Sequence, residues 1–232
     1  MPPTDTRVFS GMNAIQDELS DLYRSRFEAS GLAKRRAVWQ TLNDAFFSRL
    51  ISPENEVLEL ACGYGEFIST IRARRKHGVD LNPDTAGRLP ADVSFHNASA
   101  DDLGFLSDQA VDVVFTSNFL EHLPDKVALS RVLAEVHRVL KPGGRFIALG
   151  PNIRFAYREY WDFYDHHLPL SDRSLSEGVV AAGFSIERAI PQFLPFTMAG
   201  KTPAHPFLIR AYLAMPLAWK VLGKQFLIVA RR

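Results

Sequence analysis

The 232-residue sequence contains a single cysteine, Cys62, and no long uninterrupted run of apolar residues. A lone thiol excludes a disulfide within the chain and a zinc cluster built from cysteines, so a reducing cytoplasm is the expected compartment. No apolar run reaches the ~18 to 20 residues that a membrane-spanning helix needs. The polar stretch from Met1 to Ser10 shows no secretion signal.

The net charge is also small, because the chain contains 27 lysines and arginines and 26 aspartates and glutamates, which gives a formal net charge of +1. Proteins that bind nucleic acid usually carry a clear basic excess, so we expect no nucleic-acid partner. The one local imbalance lies at the end of the chain, where no acidic residue occurs from Arg188 onward. The length and a hydrophobic content of 47% fit one α/β domain with appended elements.

A third glycine is missing from the most informative segment, which runs from Val57 to Phe67. There an apolar strand leads into Gly63 and Gly65 and then into a helix-compatible segment, so the backbone can turn tightly and present amides to a nucleotide-type ligand. The dinucleotide pattern G-x-G-x-x-G needs another glycine where Ile68 stands. Glu59, just before the turn, would repel a pyrophosphate and suits a cationic or amine-bearing ligand. An NAD-linked oxidoreductase is therefore the weakest interpretation.

Predicted strands and helices alternate along the chain and are joined by short connections. Apolar spacing predicts helices within Met12–Phe47, at about Phe67–Arg74, at Lys126–Leu140 and within His205–Trp219. Predicted strands follow Val57 and lie at Lys76–Asp80, Val93–His96, Val111–Thr116, Arg145–Leu149 and Gln225–Ala230. Such alternation implies a mostly parallel sheet with right-handed crossovers. A ligand should then bind at the carboxyl ends of the strands.

Four motifs stand in order between about Val57 and Leu149, namely Glu59–Gly65, Val79–Leu81, Asn118–Leu123 and Leu140–Phe146. In order and spacing they resemble the motifs of class I S-adenosylmethionine-dependent methyltransferases, in the branch that acts on small molecules. The resemblance implies an α/β, Rossmann-like fold: a mostly parallel seven-stranded sheet with helices on both faces and an antiparallel last strand. We expect helices covering the site at 1–50, a cofactor-binding core at 51–150, and an acceptor-binding insert with the rest of the domain at 151–232.

S-adenosylmethionine is the cofactor that the resemblance implies. Glu59 would contact its cationic methionine end, while Gly63 and Gly65 let the chain pass close to the carboxylate and ribose. Asp80, at the end of the second strand, is the expected acceptor for both ribose hydroxyls, because a carboxylate can take two hydrogen bonds from a diol. A surface turn residue is the structural alternative for Asp80.

Two positions depart from the family's usual pattern. Ala61 replaces a glycine at the entry to the turn, and Ser99 replaces the aspartate that often accepts from the adenine amine. Ser99 with the Ala100 amide, or Asp101, would then contact the adenine. The expected cofactor-binding residues are Glu59, Ala61, Gly63, Gly65, Asp80, Leu81, Ser99, Ala100 and Asn118.

Methyl transfer from a sulfonium needs alignment, and it needs a base only where the acceptor must lose a proton. His122 follows the fourth strand and is the first choice for that base, with a structural histidine as the alternative. Asp165 and His166 are further candidates for assisting deprotonation. Some ubiquinone-pathway O-methyltransferases of this branch hold a divalent cation with a Glu…Glu-His arrangement. Glu121 and His122 are present but Asn118 replaces the first acid, so a cation such as magnesium is the less favoured interpretation.

The segment 156–171 follows the fifth strand, where this family inserts elements that bind the acceptor. Its rings would stack on a sugar or a planar ring, and its acids and histidines would supply directional hydrogen bonds. The expected acceptor-binding residues are Tyr160, Trp161, Asp162 and His167. An aromatic hinge that packs a cap onto the sheet is the structural alternative.

The segment from Pro191 to Leu222 interleaves prolines with aromatic and aliphatic residues and carries basic residues without acidic ones. Three uses compete for it. It covers the active site, it forms a homodimer interface, or it touches a membrane carrying a lipid-linked substrate, where Phe207 and Trp219 would help. The covering role requires the fewest assumptions.

A weaker resemblance, to bacterial methyltransferases of polysaccharide and glycosyl-transfer pathways, rests on Pro151–Arg154, Trp161–His167 and Leu222–Phe226. It favours an O-methyltransferase whose small-molecule acceptor is a saccharide or a glycolipid-like molecule. A phenolic or quinone-like acceptor is the alternative within the same class. A non-catalytic module that binds S-adenosylmethionine is the alternative from another class.

Overall fold

The computed structural model describes residues 29–196 and 205–232 and shows a seven-stranded sheet. The strands are β1 (Glu56–Leu60), β2 (Arg75–Asp80), β3 (Val93–Asn97), β4 (Val111–Ser117), β5 (Leu140–Pro151), β6 (Ser185–Ile190) and β7 (Gln225–Arg231). Their order is β3-β2-β1-β4-β5-β7-β6. Strands β1 to β5 pair in parallel, and β7 runs antiparallel to β5 and β6. The predicted fold, including the antiparallel last strand, is confirmed.

Seven helices accompany the sheet in the described residues. They are α1 (Ala29–Ala45), α2 (Glu66–Thr70), α3 (Lys126–Val139), α4 (Ile153–Ala156), α5 (Asp172–Ala181), α6 (Pro206–Leu213) and α7 (Pro216–Leu222). The part of the predicted N-terminal helices that precedes residue 29 lies outside the described residues. Over the described ranges, no helix combines the length and apolar character that crossing a bilayer requires.

Local sequence signals account for several helix ends. Asp125 accepts the Ala128 amide at 2.8 Å and starts α3, as a carboxylate cap should. Prolines occupy the first turns of α6 and α7, where a missing amide costs nothing. The predicted helix at about Phe67–Arg74 is shorter in the structure, because Ile71 adopts an extended backbone with ψ at 142° and ends α2.

The core consists of two apolar clusters, one on each face of the sheet. Side chains of β1 alternate between them, with Leu58 and Leu60 in one cluster and Val57 in the other. Helices α3 and α5 cover the first face, and α1, α2 and α6 contribute to the second. Both faces are therefore covered, as expected of a mostly parallel sheet whose strands are apolar on both sides.

One edge of the sheet collects the chain segments with functional signals. The carboxyl ends of parallel β1, β2, β4 and β5 lie there, and β7 starts there because Gln225 pairs with Pro151. The chain leaves two of these strands through strained residues, Ala61 with φ at 50° and Asn118 with φ at 50°. Such edges of open α/β sheets are where ligands bind.

Candidate functional site

The glycine turn between β1 and α2 depends on two residues with left-handed backbones. Gly63 has φ at 52° and Gly65 has φ at 69°, a region that side chains other than glycine rarely adopt. A Cβ added to Gly65 would lie 2.0 Å from Leu89 Cδ2, whereas a Cβ added to Gly63 would meet no heavy atom within 4 Å. Gly65 is therefore required by packing, and Gly63 borders open space in which a ligand fits.

Leu89, which covers Gly65, is a contact that sequence reasoning missed. It follows the 3-10 turn Pro83–Arg88, and the Arg88 guanidinium lies 4.2 Å from the centre of the Tyr64 ring in the glycine turn. Helix α1 reaches the same region, since Arg35 Nε donates to Glu66 Oε1 at 2.7 Å. These contacts join segments far apart in the chain, so no local pattern could have identified them.

Glu59 is buried in β1 and supports the start of α2. The Ile68 amide donates to Glu59 Oε2 at 3.0 Å, so the carboxylate satisfies an amide in the first turn of the helix. Burial raises the pKa of this carboxyl group well above its usual value. The structure thus places Glu59 directly beneath the glycine turn. Its contact with the methionine end of the cofactor stays a prediction.

Asp80 links the end of β2 to the glycine turn. Its Oδ2 accepts the Gly63 amide at 2.8 Å, and its Oδ1 accepts the Asn82 amide at 2.8 Å. Each carboxylate oxygen can accept a second hydrogen bond, so the group can hold the turn and still receive a diol. Burial raises the pKa of Asp80. Leu81, the next residue, has an exposed side chain beside this carboxylate.

The predicted adenine contacts lie after β3 and form a small polar network. Ser99 donates its hydroxyl to Asp101, and Arg131 Nε donates to the same carboxylate at 3.1 Å. The hydrogen bond from Ser99, followed by the contact with Arg131, lowers the pKa of Asp101. Ala100, which lies between Ser99 and Asp101 in the sequence, is buried. Ser99 keeps its oxygen lone pairs as acceptors while its hydroxyl proton is committed to Asp101.

Asn118 follows β4, the strand that pairs with β1. Its amide donates to the Leu149 carbonyl at 2.9 Å, and its Nδ2 donates to Ser117 Oγ at 3.0 Å. The side chain is exposed, so it remains accessible at the carboxyl edge. Its left-handed backbone is one that asparagine tolerates better than most residues.

His122, in the 3-10 turn after β4, contacts Asp165 from a segment 43 residues later. Its Nδ1 lies 2.8 Å from the Asp165 carbonyl oxygen and 3.3 Å from Asp165 Oδ2. A carbonyl oxygen only accepts, so the contact places the proton of the neutral ring on Nδ1 and leaves the lone pair on Nε2. The imidazole is partly exposed, which fits a group that takes a proton from a substrate.

Glu121 and His166 complete the cluster around His122. Glu121 is 3% exposed, and burial raises the pKa of its carboxyl group to about 7. Its backbone carbonyl accepts the amides of His167 and Leu168, each at 2.9 Å, and so fixes the later segment against the β4 turn. The His166 ring is buried, with its centre 5.0 Å from that of His122.

One group of potential metal ligands appears in the described ranges. Ligand atoms of Glu121, His122 and His166 all lie within 4.8 Å of one another. The sequence predicted the first two residues for a cation and assigned His166 to catalysis only. Two imidazoles with one carboxylate suit a transition metal better than magnesium, which prefers oxygen ligands.

The four predicted acceptor-binding residues occupy different environments. Tyr160 is fully buried and donates its hydroxyl to the Leu168 carbonyl at 2.6 Å, so it packs beneath the segment and does not line a surface. Trp161 is 60% exposed. Asp162 and His167 are also exposed. The centre of the Tyr160 ring lies 5.0 Å from that of Trp161 and 4.7 Å from that of His166, and its role in acceptor binding stays a prediction.

Comparisons with known proteins identify a methyltransferase domain in this chain. A sequence profile described as a methyltransferase domain matches residues 58–148. A protein of Mycolicibacterium smegmatis, described as a probable S-adenosylmethionine-dependent methyltransferase, is 31% identical over 172 residues, covering 70% of this chain and 65% of that protein. A demethylmenaquinone methyltransferase of Symbiobacterium thermophilum is 27% identical over 176 residues, covering 67% of each. The chain thus spans about two thirds of the length of these relatives.

A solved structure supports the same fold. The S-adenosylmethionine-dependent methyltransferase from Archaeoglobus fulgidus superposes with a TM-score of 0.65 at 19% identity, over 92% of this chain and 99% of that one. The strand order and the glycine turn define a Rossmann-like protein that binds a nucleoside-containing cofactor. The chain belongs to the class I S-adenosylmethionine-dependent methyltransferases. Its cofactor is S-adenosylmethionine, and the open space at Gly63 with the Asp80 carboxylate beside it fits that molecule.

Proposed function

We propose that this protein transfers a methyl group to a hydroxyl of a saccharide or glycolipid-like molecule, with His122 as the general base. The observation that carries the proposal is the contact between His122 Nδ1 and the Asp165 carbonyl oxygen and carboxylate at the carboxyl edge of the sheet. This contact fixes the ring and sets the tautomer, so that the lone pair of the neutral imidazole is on Nε2. A hydroxyl acceptor needs such a base, whereas an amine that is already neutral does not.

Separate residues of the chain bind the cofactor and take the proton. S-adenosylmethionine, when bound, supplies an electrophilic methyl group on a sulfonium. Gly63 and Asp80 hold it at the end of β1, and His122 Nε2 takes the proton of the hydroxyl that attacks. The Asp165 carboxylate, 3.3 Å from Nδ1, stabilises the imidazolium that forms. Alignment of the acceptor with the methyl group supplies much of the rate.

The acceptor side fits a molecule with both apolar faces and hydroxyls. Trp161 offers an exposed ring for stacking, and Asp162 and His167 are exposed and available for hydrogen bonds. All three residues follow β5, and the Glu121 carbonyl accepts the His167 amide, which fixes His167 to the turn that carries His122. An acceptor held there would lie beside the proposed base.

A second acceptor class is favoured by one observation. The relative from Symbiobacterium thermophilum bears the name demethylmenaquinone methyltransferase, so its acceptor is quinone-like. A planar ring of that kind would also stack on Trp161. A non-catalytic module is the third possibility, and it would bind S-adenosylmethionine without transferring its methyl group to any acceptor.

The experiment is a mass-spectrometric methyl-transfer assay over saccharides, glycolipids, phenols and quinols. We expect a metal-independent methyl ether on a saccharide-type acceptor, so a chelator should leave the rate unchanged. Loss of activity with the chelator, restored by a transition metal, would instead assign Glu121, His122 and His166 to a metal. Methylation confined to quinols would favour the second acceptor class.

Variants test the base. His122→Ala should lower turnover about 10²–10⁴-fold, the usual contribution of a general base. Asp165→Asn should also lower turnover, because it removes the charge that stabilises the imidazolium. The matched control is His137→Ala, which changes a histidine of α3 that packs against Phe184. Full activity in His122→Ala would refute the assignment of the base to His122, and full activity in His166→Ala as well would exclude both histidines.

A further inference from the structure

Exposed apolar side chains concentrate in two segments of the described chain. Of the twelve large apolar side chains that are exposed among the described residues, nine lie in 157–164 or 207–222. Six belong to helices α6 and α7 and their junction, namely Phe207, Leu208, Met215, Leu217, Val221 and Leu222. The other three are the aromatic residues Tyr157, Trp161 and Tyr164. We call these nine residues the apolar edge. A concentration of this kind marks an interaction surface.

The inner side of the two helices is firmly attached to the protein. Trp219 packs against Phe193 with ring centres 5.1 Å apart, and its Nε1 donates to the Tyr212 carbonyl at 2.8 Å. Tyr212 in turn donates its hydroxyl to the Phe193 carbonyl at 2.6 Å. The helices are therefore a fixed platform. The outward side chains, with Leu217 at 76% and Val221 at 79% exposure, are left for an external partner.

Direct contacts hold the aromatic part of the apolar edge beside the helices. Lys224, just after α7, forms an ion pair with Glu159 of the aromatic segment. The Lys224 carbonyl also accepts the Asn152 amide at 2.9 Å, next to the end of β5. The ring centres of Phe163 and Phe196 lie 5.5 Å apart, which links the aromatic segment to the chain that follows β6. The aromatic part of the apolar edge is therefore continuous with Asp165, which contacts His122.

The charge of this region indicates which kind of surface it binds. Helices α6 and α7, with the two residues that follow them, carry Arg210, Lys220 and Lys224 and no acid. Lys220 projects from α7 into solvent, and Arg210 projects from α6 with Asp44 at 3.9 Å. Asp162 is the exposed acid beside the aromatic residues. Exposed aliphatic and aromatic side chains combined with basic residues fit the interface of a bilayer with anionic headgroups.

We propose that the apolar edge docks this protein on the surface of a membrane that contains anionic lipids. Docking would place the mouth of the site at the bilayer, so its acceptor would be a molecule dissolved in or linked to that lipid. The inference rests on the proposed function for the acceptor, but binding to the surface does not depend on turnover. A membrane-bound saccharide carrier and a quinol both satisfy it.

Vesicle flotation tests the docking with the full-length protein. Vesicles of phosphatidylcholine alone are compared with vesicles of equal parts phosphatidylcholine and phosphatidylglycerol. The wild-type protein should float with the anionic vesicles, and high salt should release much of it. The double variant Leu217→Ser/Val221→Ser should bind about tenfold or more weakly, because two apolar side chains no longer enter the interface. Lys220→Gln should bind about fivefold more weakly.

The matched control is Val127→Ser/Val180→Ser, which removes two exposed valines from α3 and α5 and should leave vesicle binding unchanged. Thermal unfolding checks that each variant is folded. If the wild-type protein fails to float with the anionic vesicles, the proposal is wrong. The apolar edge would then bind something else, such as a second copy of the chain or residues 1–28. Equal weakening by both double variants also overturns the proposal.

The two proposals fail in different ways. Protein that floats with anionic vesicles but methylates no hydroxyl contradicts the proposed function and leaves the docking intact. Protein that methylates soluble saccharides but ignores vesicles contradicts the docking and leaves the proposed function intact.

Discussion

The two glycines of the turn should respond differently to the same substitution. Gly65→Ala forces alanine into a left-handed backbone, which costs about 1–2 kcal/mol. The new Cβ would also lie 2.0 Å from Leu89 Cδ2, and displacing that side chain costs about 1–3 kcal/mol. The free energy of unfolding should therefore fall by about 2–5 kcal/mol. Gly63→Ala meets no atom within 4 Å, so it should lose only about 1–2 kcal/mol from backbone strain.

Cofactor affinity should show the opposite order. The open space at Gly63 is where we place the cofactor, so Gly63→Ala should weaken binding of S-adenosylhomocysteine the more strongly of the two. Urea unfolding gives the stability of each variant, and calorimetry gives its affinity. Adding Leu89→Ala completes a double-mutant cycle with Gly65→Ala, in which we expect a coupling of about 1–3 kcal/mol. No coupling, or equal destabilisation by the two glycine substitutions, would refute the packing of Leu89 on Gly65.

Three further predictions follow from single side chains. Asp80→Asn should weaken S-adenosylhomocysteine binding about tenfold or more, because hydrogen bonds to a charged group are worth about 1.5–3 kcal/mol; calorimetry showing unchanged affinity would remove Asp80 from the site. Glu121 has a pKa raised to about 7, so its contribution to stability is complete below its unfolded pKa and is lost as pH rises through 7. Urea unfolding should accordingly show wild-type stability falling by about 2.5 kcal/mol more than that of Glu121→Gln between pH 5 and pH 8, and parallel curves would contradict the burial. Cys62 is buried and has its thiol pKa raised by burial and by the Glu59 and Asp80 carboxylates, so iodoacetamide should modify it only after unfolding; rapid modification of folded protein would contradict this.

The sheet could be predicted from the sequence because its signals are local. The buried run that forms β4 and the turn after β1 lie within short windows, and their order along the chain limits the topology. Strand β5 is longer than predicted, since it starts at Leu140 and continues past the Pro142–Gly144 turn with a shifted register. From the local sequence alone, a turn signal that lies inside a strand looks the same as a turn that comes before a strand.

The site was predictable only in part. Glu59 and Asp80 lie at the carboxyl ends of β1 and β2, and the two glycines follow β1, so their gathering at one edge is a consequence of the topology. The contact of His122 with Asp165 joins positions 43 residues apart, and sequence patterns do not encode which distant side chains will meet. The same limit applies to Tyr160. The aromatic composition of its segment predicted a substrate wall, but the Tyr160 ring is buried and its hydroxyl donates to the Leu168 carbonyl.

The central claim is that this member of the family methylates a hydroxyl by means of His122. The most direct measurement supplies S-adenosylmethionine with a deuterated methyl group and follows the label by mass spectrometry in wild-type protein and in His122→Ala. We predict that the wild-type protein places the label on an acceptor oxygen. We also predict that His122→Ala binds S-adenosylhomocysteine normally but transfers little label. Wild-type protein that binds the cofactor yet labels no acceptor, or a His122→Ala variant that labels oxygen at the wild-type rate, would contradict the account.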